Sequence, residues 1–312
     1  MPSENPSMDR LMDQVRQQRL ADKGLDALES LREALSISPR EPVLHSLLAL
    51  VLVDLNRPRA AVHEARSGVD LGADMPFCHY ALGMVLCANE KYAAAIQHLR
   101  QALAAEPDNS RYMTGLGNVY ALTGNTIEAR EHFKKAIWID PNEADGYTAL
   151  GRLLRRDGKL AAAGDCIRKA IELNSEGIDA RLEMGFIRLL EGEIEEARGH
   201  ALWALQKSVF NADAVLLLSQ IKARTNPLVG AWWKLNGWLT GGSTSRIVLI
   251  LVFTYALFRI AELGLNDLGY TFWSNAVKYI WLIVVIYSWF GPDWFDNLIR
   301  KDLNRIERSA GN

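Results

Sequence analysis

The chain has 312 residues, of which 23% are charged, and its formal net charge is -2. This near-neutral balance argues against a nucleic-acid-binding protein, because such proteins present strongly basic surfaces. The residues from Thr225 onward include eight basic and six acidic side chains and seven of the nine tryptophans. We therefore expect two regions that occupy different surroundings.

The N-terminus and the cysteines indicate a reducing compartment. Residues 1–10 contain no apolar stretch of the signal-peptide type, so we expect the N-terminal region to stay in the cytoplasm. Cys78, Cys87 and Cys166 have neither the spacing of metal ligands nor that of a disulfide framework, and we interpret them as small core residues.

A 34-residue repeat runs through the first two-thirds of the chain. An apolar residue followed by glycine occurs at 82–83, 116–117, 150–151 and 184–185. Alanines follow at fixed offsets, at Ala95, Ala129, Ala163, Ala197, Ala102, Ala136, Ala170 and Ala204. We predict a domain over 8–224, made of six units and an end helix at 212–224. The units are 8–41, 42–75, 76–109, 110–143, 144–177 and 178–211.

Each unit has the composition of two packed helices. Glycine at the eighth position and alanine at the twentieth would let the helices cross closely. Gly124, Gly158 and Gly192 stand where the first helix should end, and Pro107 and Pro141 stand where the second should end.

This pattern resembles the tetratricopeptide-repeat (TPR) family, most closely over 76–177. The resemblance implies an all-α TPR solenoid that binds proteins, with the first helix of each unit lining a concave groove. The lining positions of the family are the second, fifth, ninth and twelfth of each unit. The partner-binding residues that we select on this basis are Val43, Leu50, Val53, Phe77, Tyr80, Met84, Arg111, Asn118, Arg152 and Arg155.

The composition of this groove suggests a ligand. An apolar strip beside basic and amide groups would suit a peptide with apolar anchors and an acidic end. Alternatively, the apolar members pack between helices and the charged members form an ordinary solvated face. The carboxylate clamp of chaperone-binding TPR proteins is not expected here. Among the clamp positions only Asn118 matches, and the other four are occupied by Thr114, Ala149, Asp179 and Glu183.

Two apolar stretches, 247–265 and 272–290, follow the repeats. Each has nearly the length of a bilayer-spanning helix, and Trp and Tyr flank both. They predict a transmembrane hairpin over 247–290, although a buried helix pair in a soluble domain is the alternative. We expect a Trp-rich interfacial linker at 225–246. An amphipathic helix at 293–309 would lie on the membrane surface or pack against a partner.

Charged residues orient this hairpin. Basic residues precede the first span and follow the second, whereas the turn carries only Asp267, so both termini are predicted to be cytoplasmic. A bacterial inner membrane is the preferred location. Arg259, Glu262 and Lys278 would form a paired cluster inside the hairpin. This cluster would lock the hairpin, contact another membrane protein or belong to an ion path.

No catalytic motif emerges from the sequence. It contains no phosphate-binding glycine loop, no HExxH, no GxSxG and no Cys/His pair at a plausible spacing, so we expect no enzyme, cofactor or metal. The favoured function is a membrane-tethered scaffold whose groove recruits a protein or peptide to a membrane complex. The alternatives are an integral subunit of a transport or channel complex, acting through the hairpin charges, and a self-assembling structural scaffold.

Overall fold

The computed structural model describes residues 10–11, 14–15, 18, 24–208, 211–225, 244–273 and 275–279. Within these ranges the elements are all helical. The helices are α1 (Gly24–Ile37), α2 (Pro42–Asp54), α3 (Pro58–Leu71), α4 (Pro76–Ala88), α5 (Tyr92–Ala105), α6 (Ser110–Leu122), α7 (Thr126–Ile139), α8 (Ala144–Arg156), α9 (Leu160–Leu173), α10 (Ile178–Glu191), α11 (Ile194–Lys207), α12 (Ala212–Thr225) and α13 (Thr244–Asp267).

The helices repeat with the period that the sequence predicts. The first helices of the second to sixth units begin every 34 residues, at Pro42, Pro76, Ser110, Ala144 and Ile178. The second helices begin with the same spacing. In the second to sixth units each packs on its own first helix, and in the first to fifth units each packs on the first helix of the next unit. The predicted TPR solenoid is therefore confirmed. Of the first unit, the structure describes mainly the second helix, α1.

A left-handed residue separates the two helices of each of these units. Gly124, Gly158 and Gly192 have φ angles of +84°, +77° and +92°, and Asn56 and Glu90 occupy the same position in the earlier units. In every case the next amide donates a hydrogen bond to the carbonyl five residues back. This bond closes the end of the first helix and reverses the chain.

Close helix crossing explains the glycines and alanines of the repeat. A Cβ atom placed on Gly117 would lie 2.6 Å from Phe133 Cε1, and one on Gly151 would lie 2.6 Å from Ile167 Cδ1. The alanines at the twentieth position are fully buried, and they are Ala61, Ala95, Ala129, Ala163 and Ala197. Larger side chains at these places would separate the helices and open the core.

The chain divides into two compact units, Met1–Asn211 and Ala212–Asn312. The predicted end helix, α12, belongs to the second of them. In that second unit, α13 covers the predicted first span, and the chain turns at Leu268 and Gly269 before helical residues resume at 271. The sequence predicts a turn at this point, between the two apolar stretches.

The membrane prediction falls partly outside the described residues. These exclude 274 and 280–290 of the second span, 226–243 of the linker and all of the amphipathic segment 293–309. Among the residues that the structure does describe, no helix has both the length and the apolar character required to cross a membrane.

Candidate functional site: a groove on the first helices

The first helices of the second to sixth units line a groove of about 770 Å³. Side chains from the second, fifth and ninth positions of the units project into it. Seven of the ten predicted groove residues line it, and these are Leu50, Phe77, Tyr80, Met84, Arg111, Asn118 and Arg152.

The other three predicted residues lie elsewhere. Val43 and Val53 are partly buried and pack against the hydrophobic core. Arg155 turns towards α10, where its guanidinium stands 5.0 Å above the ring of Phe186. The twelfth position thus serves the packing between units rather than the groove.

An aromatic strip forms one end of the groove. Phe77, Tyr80 and Met84 are only partly buried, so they present apolar surface to the groove. The ring centroid of Tyr80 lies 6.1 Å from that of Phe77 and 4.9 Å from that of Tyr112, with which it stacks. Leu50, by contrast, is 4% exposed and packs between helices, as the alternative interpretation expected.

Two further residues complete this strip. Tyr112 lines the groove, and burial raises the pKa of its phenol above the ordinary value. A Cβ atom on Gly115 would lie 3.0 Å from Tyr80 Cε2 and 3.3 Å from Met84 Sδ. The bare backbone of Gly115 therefore lets both side chains lie flat on α6. In the sequence, Gly115 can be recognised as a second glycine, two residues before the repeat glycine Gly117.

A buried carboxylate organises the opposite end of the groove. Arg152 Nε donates to Glu183 Oε1 at 2.6 Å, and Arg155 Nε donates to Glu183 Oε2 at 2.8 Å. The side chain of Glu183 is only 7% exposed. The two arginines were predicted to attract an acidic peptide, but Glu183 already compensates part of their positive charge.

Acidic side chains outnumber basic ones on the described walls of the groove. The guanidiniums belong to Arg111 and Arg152, and the carboxylates belong to Asp54, Glu106, Asp145 and Asp179. Beside the groove, the loops between units form a recess of about 700 Å³ that shares Arg111 and Asp145. This recess adds the carboxylates of Asp108, Asp140 and Glu143.

The cysteines lie within the repeats as small core residues. Cys78 and Cys87 are buried and Cys166 is partly buried, and all three are reduced. Burial raises the pKa of each thiol, which lowers the fraction of reactive thiolate. Among the described residues, no three His, Cys, Asp or Glu side chains are grouped so that they could hold a metal ion.

The charges predicted inside the hairpin are partly described. Arg259 Nη1 donates to Glu262 Oε2 at 2.7 Å along one face of α13, so the predicted pair forms. Lys278 lies exposed in the following helical residues. The grouping of all three charges remains a prediction.

Comparison with known families agrees with this architecture. Sequence models described as Tetratricopeptide repeat match residues 80–144 and 144–176. The chain therefore contains tetratricopeptide repeats, and in the structure they extend on both sides of the matched region. No curated protein matches the chain.

Solved structures share the fold at low sequence identity. The thermophilic TPR protein TTC0263 of Thermus thermophilus is 19% identical, with a TM-score of 0.53 over 58% of this chain and 98% of that one. A chain of the APC/C hetero-tetramer Cut9-Hcn1 is 18% identical, with a TM-score of 0.50 over 64% of this chain. The match spans only 39% of that longer chain. At such identities the likeness establishes the fold alone.

Proposed function

We propose that this protein is a non-enzymatic interaction scaffold whose groove binds a segment of another protein. The observation that carries the proposal is the partly exposed strip of Phe77, Tyr80 and Met84 at one end of a groove that crosses five units. Exposed aromatic and Met side chains in a concave, preformed surface are the usual anchors of protein recognition. The repeat architecture supports the same function, since solenoids present extended concave surfaces to partners.

Affinity purification after crosslinking in cells tests this proposal. A Tyr80→Ala, Met84→Ala variant should lose the partner that the wild-type chain captures. A variant with Ile127→Ala and Trp138→Ala is the matched control, because these apolar side chains are 73% and 78% exposed on α7 and do not line the groove. Equal capture by the groove variant and the wild type would contradict the proposal, provided that circular dichroism shows both chains folded.

We also propose that the C-terminal unit tethers the scaffold to a membrane, which we take to be a bacterial inner membrane with the repeats on the cytoplasmic side. Support comes from the large apolar side chains exposed on α13, in the turn after it and in the helical residues that follow, including Ile260 at 71%, Leu268 at 72% and Phe272 at 73%. Exposed apolar surface of this extent indicates a contact with lipid or protein. The tether would raise the local concentration of a bound partner beside a membrane complex.

Sedimentation of cell membranes tests the tether separately. We expect the wild-type chain in the carbonate-resistant membrane pellet and an Ile260→Lys, Leu263→Lys variant largely in the supernatant. Leu122→Lys is the control, because Leu122 is also half exposed but lies in the repeat unit. If the wild-type chain remains in the supernatant, the tether is wrong while the groove proposal stands.

The alternative of a transport or channel subunit gains less support. The pairing of Arg259 with Glu262 compensates both charges along α13, which favours a structural role for them. Replacing Arg259 and Glu262 together by Gln should leave partner capture unchanged if the chain is a scaffold.

A further inference from the structure

We infer that the groove selects a cationic segment, one in which Lys or Arg residues accompany one or two aromatic or large aliphatic anchors. This inference rests on the proposed function, since it names the chemistry of the partner that the groove would bind. It differs from the expectation of an acidic ligand, which follows from the sequence positions of the arginines alone.

The first step is the charge balance along the groove. Taken with the adjoining recess, its described walls carry seven carboxylates and two guanidiniums, a formal charge of -5. Any pairing among these groups leaves this sum unchanged. Opposite potentials of ligand and site speed association and exclude partners of the wrong sign.

The second step concerns the cations that would otherwise attract an acidic ligand. Glu183 accepts from both Arg152 and Arg155, and its carboxylate is buried behind the groove lining, where it compensates part of the charge of these guanidiniums. Arg111 Nε lies 3.9 Å from Glu143 Oε1. An acidic ligand would have to compete with these intramolecular carboxylates for each guanidinium.

The third step is the position of the apolar strip relative to the carboxylates. Phe77, Tyr80 and Met84 come from the third unit, whereas Asp145 and Asp179 come from the fifth and sixth. First helices pack about 9 Å apart, so an extended segment of about 12 residues, roughly 40 Å long, would reach both. We therefore expect the anchors and the basic residues to occupy different parts of the segment.

Selection from a library of random peptides of about 12 residues displayed on phage, against the purified full chain, tests the inference. Parallel selection on the Tyr80→Ala, Met84→Ala variant removes peptides that bind outside the groove. Enriched peptides should carry net positive charge and at least one aromatic or large aliphatic residue. Groove-dependent peptides that are neutral or acidic would overturn the inference yet support the proposed function, whereas the absence of groove-dependent peptides would overturn both.

Charge-neutralising variants then test the mechanism on a selected peptide, by fluorescence anisotropy. The Glu106→Gln, Asp145→Asn variant should bind about 2- to 10-fold more weakly, since each screened charge pair contributes modestly. The control, Glu128→Gln with Asp70→Asn, removes two exposed carboxylates that line neither the groove nor the recess, and it should bind as the wild type does. Equal weakening by both variants would mean that only the overall charge of the chain matters, which would also overturn the inference.

Salt dependence provides an independent measurement. Raising the ionic strength from about 0.05 M to about 0.5 M shortens the screening length several-fold, so binding of the same peptide should weaken by about 5-fold or more. The Glu106→Gln, Asp145→Asn variant should show a shallower dependence. An affinity that does not change with salt would contradict a cationic partner.

Discussion

The two ends of the groove are built by different physical means. At the aromatic end, a bare backbone at Gly115 lets Tyr80 and Met84 lie against the neighbouring helix with their outer surfaces accessible. At the charged end, the carboxylate of Glu183 lies between two helices and holds two arginines in place. Helix packing therefore leaves the predicted residues Tyr80 and Met84 accessible, whereas pairing with Glu183 compensates part of the charge of the predicted arginines.

The largest expected effect comes from removing the carboxylate of Glu183, which organises the charged end of the groove. Glu183→Ala leaves Arg152 and Arg155 without their shared carboxylate, so we expect the free energy of unfolding to fall by about 2 kcal/mol. We take a value below the range for fully buried pairs because both arginines are partly exposed. Urea denaturation measures the change.

The control for this experiment is Glu131→Ala. Glu131 and its partner Lys134 are 68% and 58% exposed, so breaking this pair should cost less than about 0.5 kcal/mol. Equal costs for the two variants would mean that the network around Glu183 does not organise the charged end.

The packing behind the aromatic end is tested by Gly117→Ala. The added Cβ would lie 2.6 Å from Phe133 Cε1, so overpacking should outweigh the gain in helix propensity and give a net loss of about 1–1.5 kcal/mol. Gly199→Ala is a matched control within α11, where an added Cβ meets nothing within 4 Å. It should stabilise the chain by about 0.5–1 kcal/mol through helix propensity, and a loss there would argue against the packing explanation.

Substitutions in the turns between helices should change the free energy of unfolding less. Gly124→Ala should cost about 1 kcal/mol, because φ is +84° there and the site is otherwise open. Glu90→Gly, at the same position of the preceding unit, should instead recover part of the strain of a φ of +61°. Thermal or urea unfolding of both variants checks the opposite signs, and equal signs would contradict this account.

The smallest effect concerns the pH dependence of stability and involves three histidines on second helices of the repeats. Burial lowers the pKa of His98 and His132, in the third and fourth units, and of His200 in the sixth. The unfolded chain therefore binds protons at a higher pH than the folded one, so stability is fully present above pH 6.5 and declines as the pH falls below it.

Urea midpoints at pH 7.5 and pH 5.5 measure this decline. It should be smaller in a His98→Gln, His132→Gln variant than in the wild type. Adding His200→Gln should reduce it further, and an unchanged decline in the triple variant would mean that other groups control the acid response.

More of the groove's lining than of its chemical character could be predicted from the sequence. The family resemblance implies that the second, fifth and ninth positions of each unit line the groove, and Tyr80, Met84 and Asn118 at such positions do line it. Tyr112 and Gly115 lie outside those positions, and their roles depend on the neighbouring helix. Arg155 was misplaced for a related reason, since its direction is set by Glu183 and Phe186 on the next unit.

The sequence by itself determined the repeat. A 34-residue period of small residues at the crossings, with glycine or another left-handed residue between helices, leaves one local arrangement that buries the apolar faces. Only the tertiary structure decided which charges in the groove are compensated. Pairing joins side chains about 30 residues apart, such as Arg152 and Glu183, whose distance depends on how successive units stack and not on any local pattern.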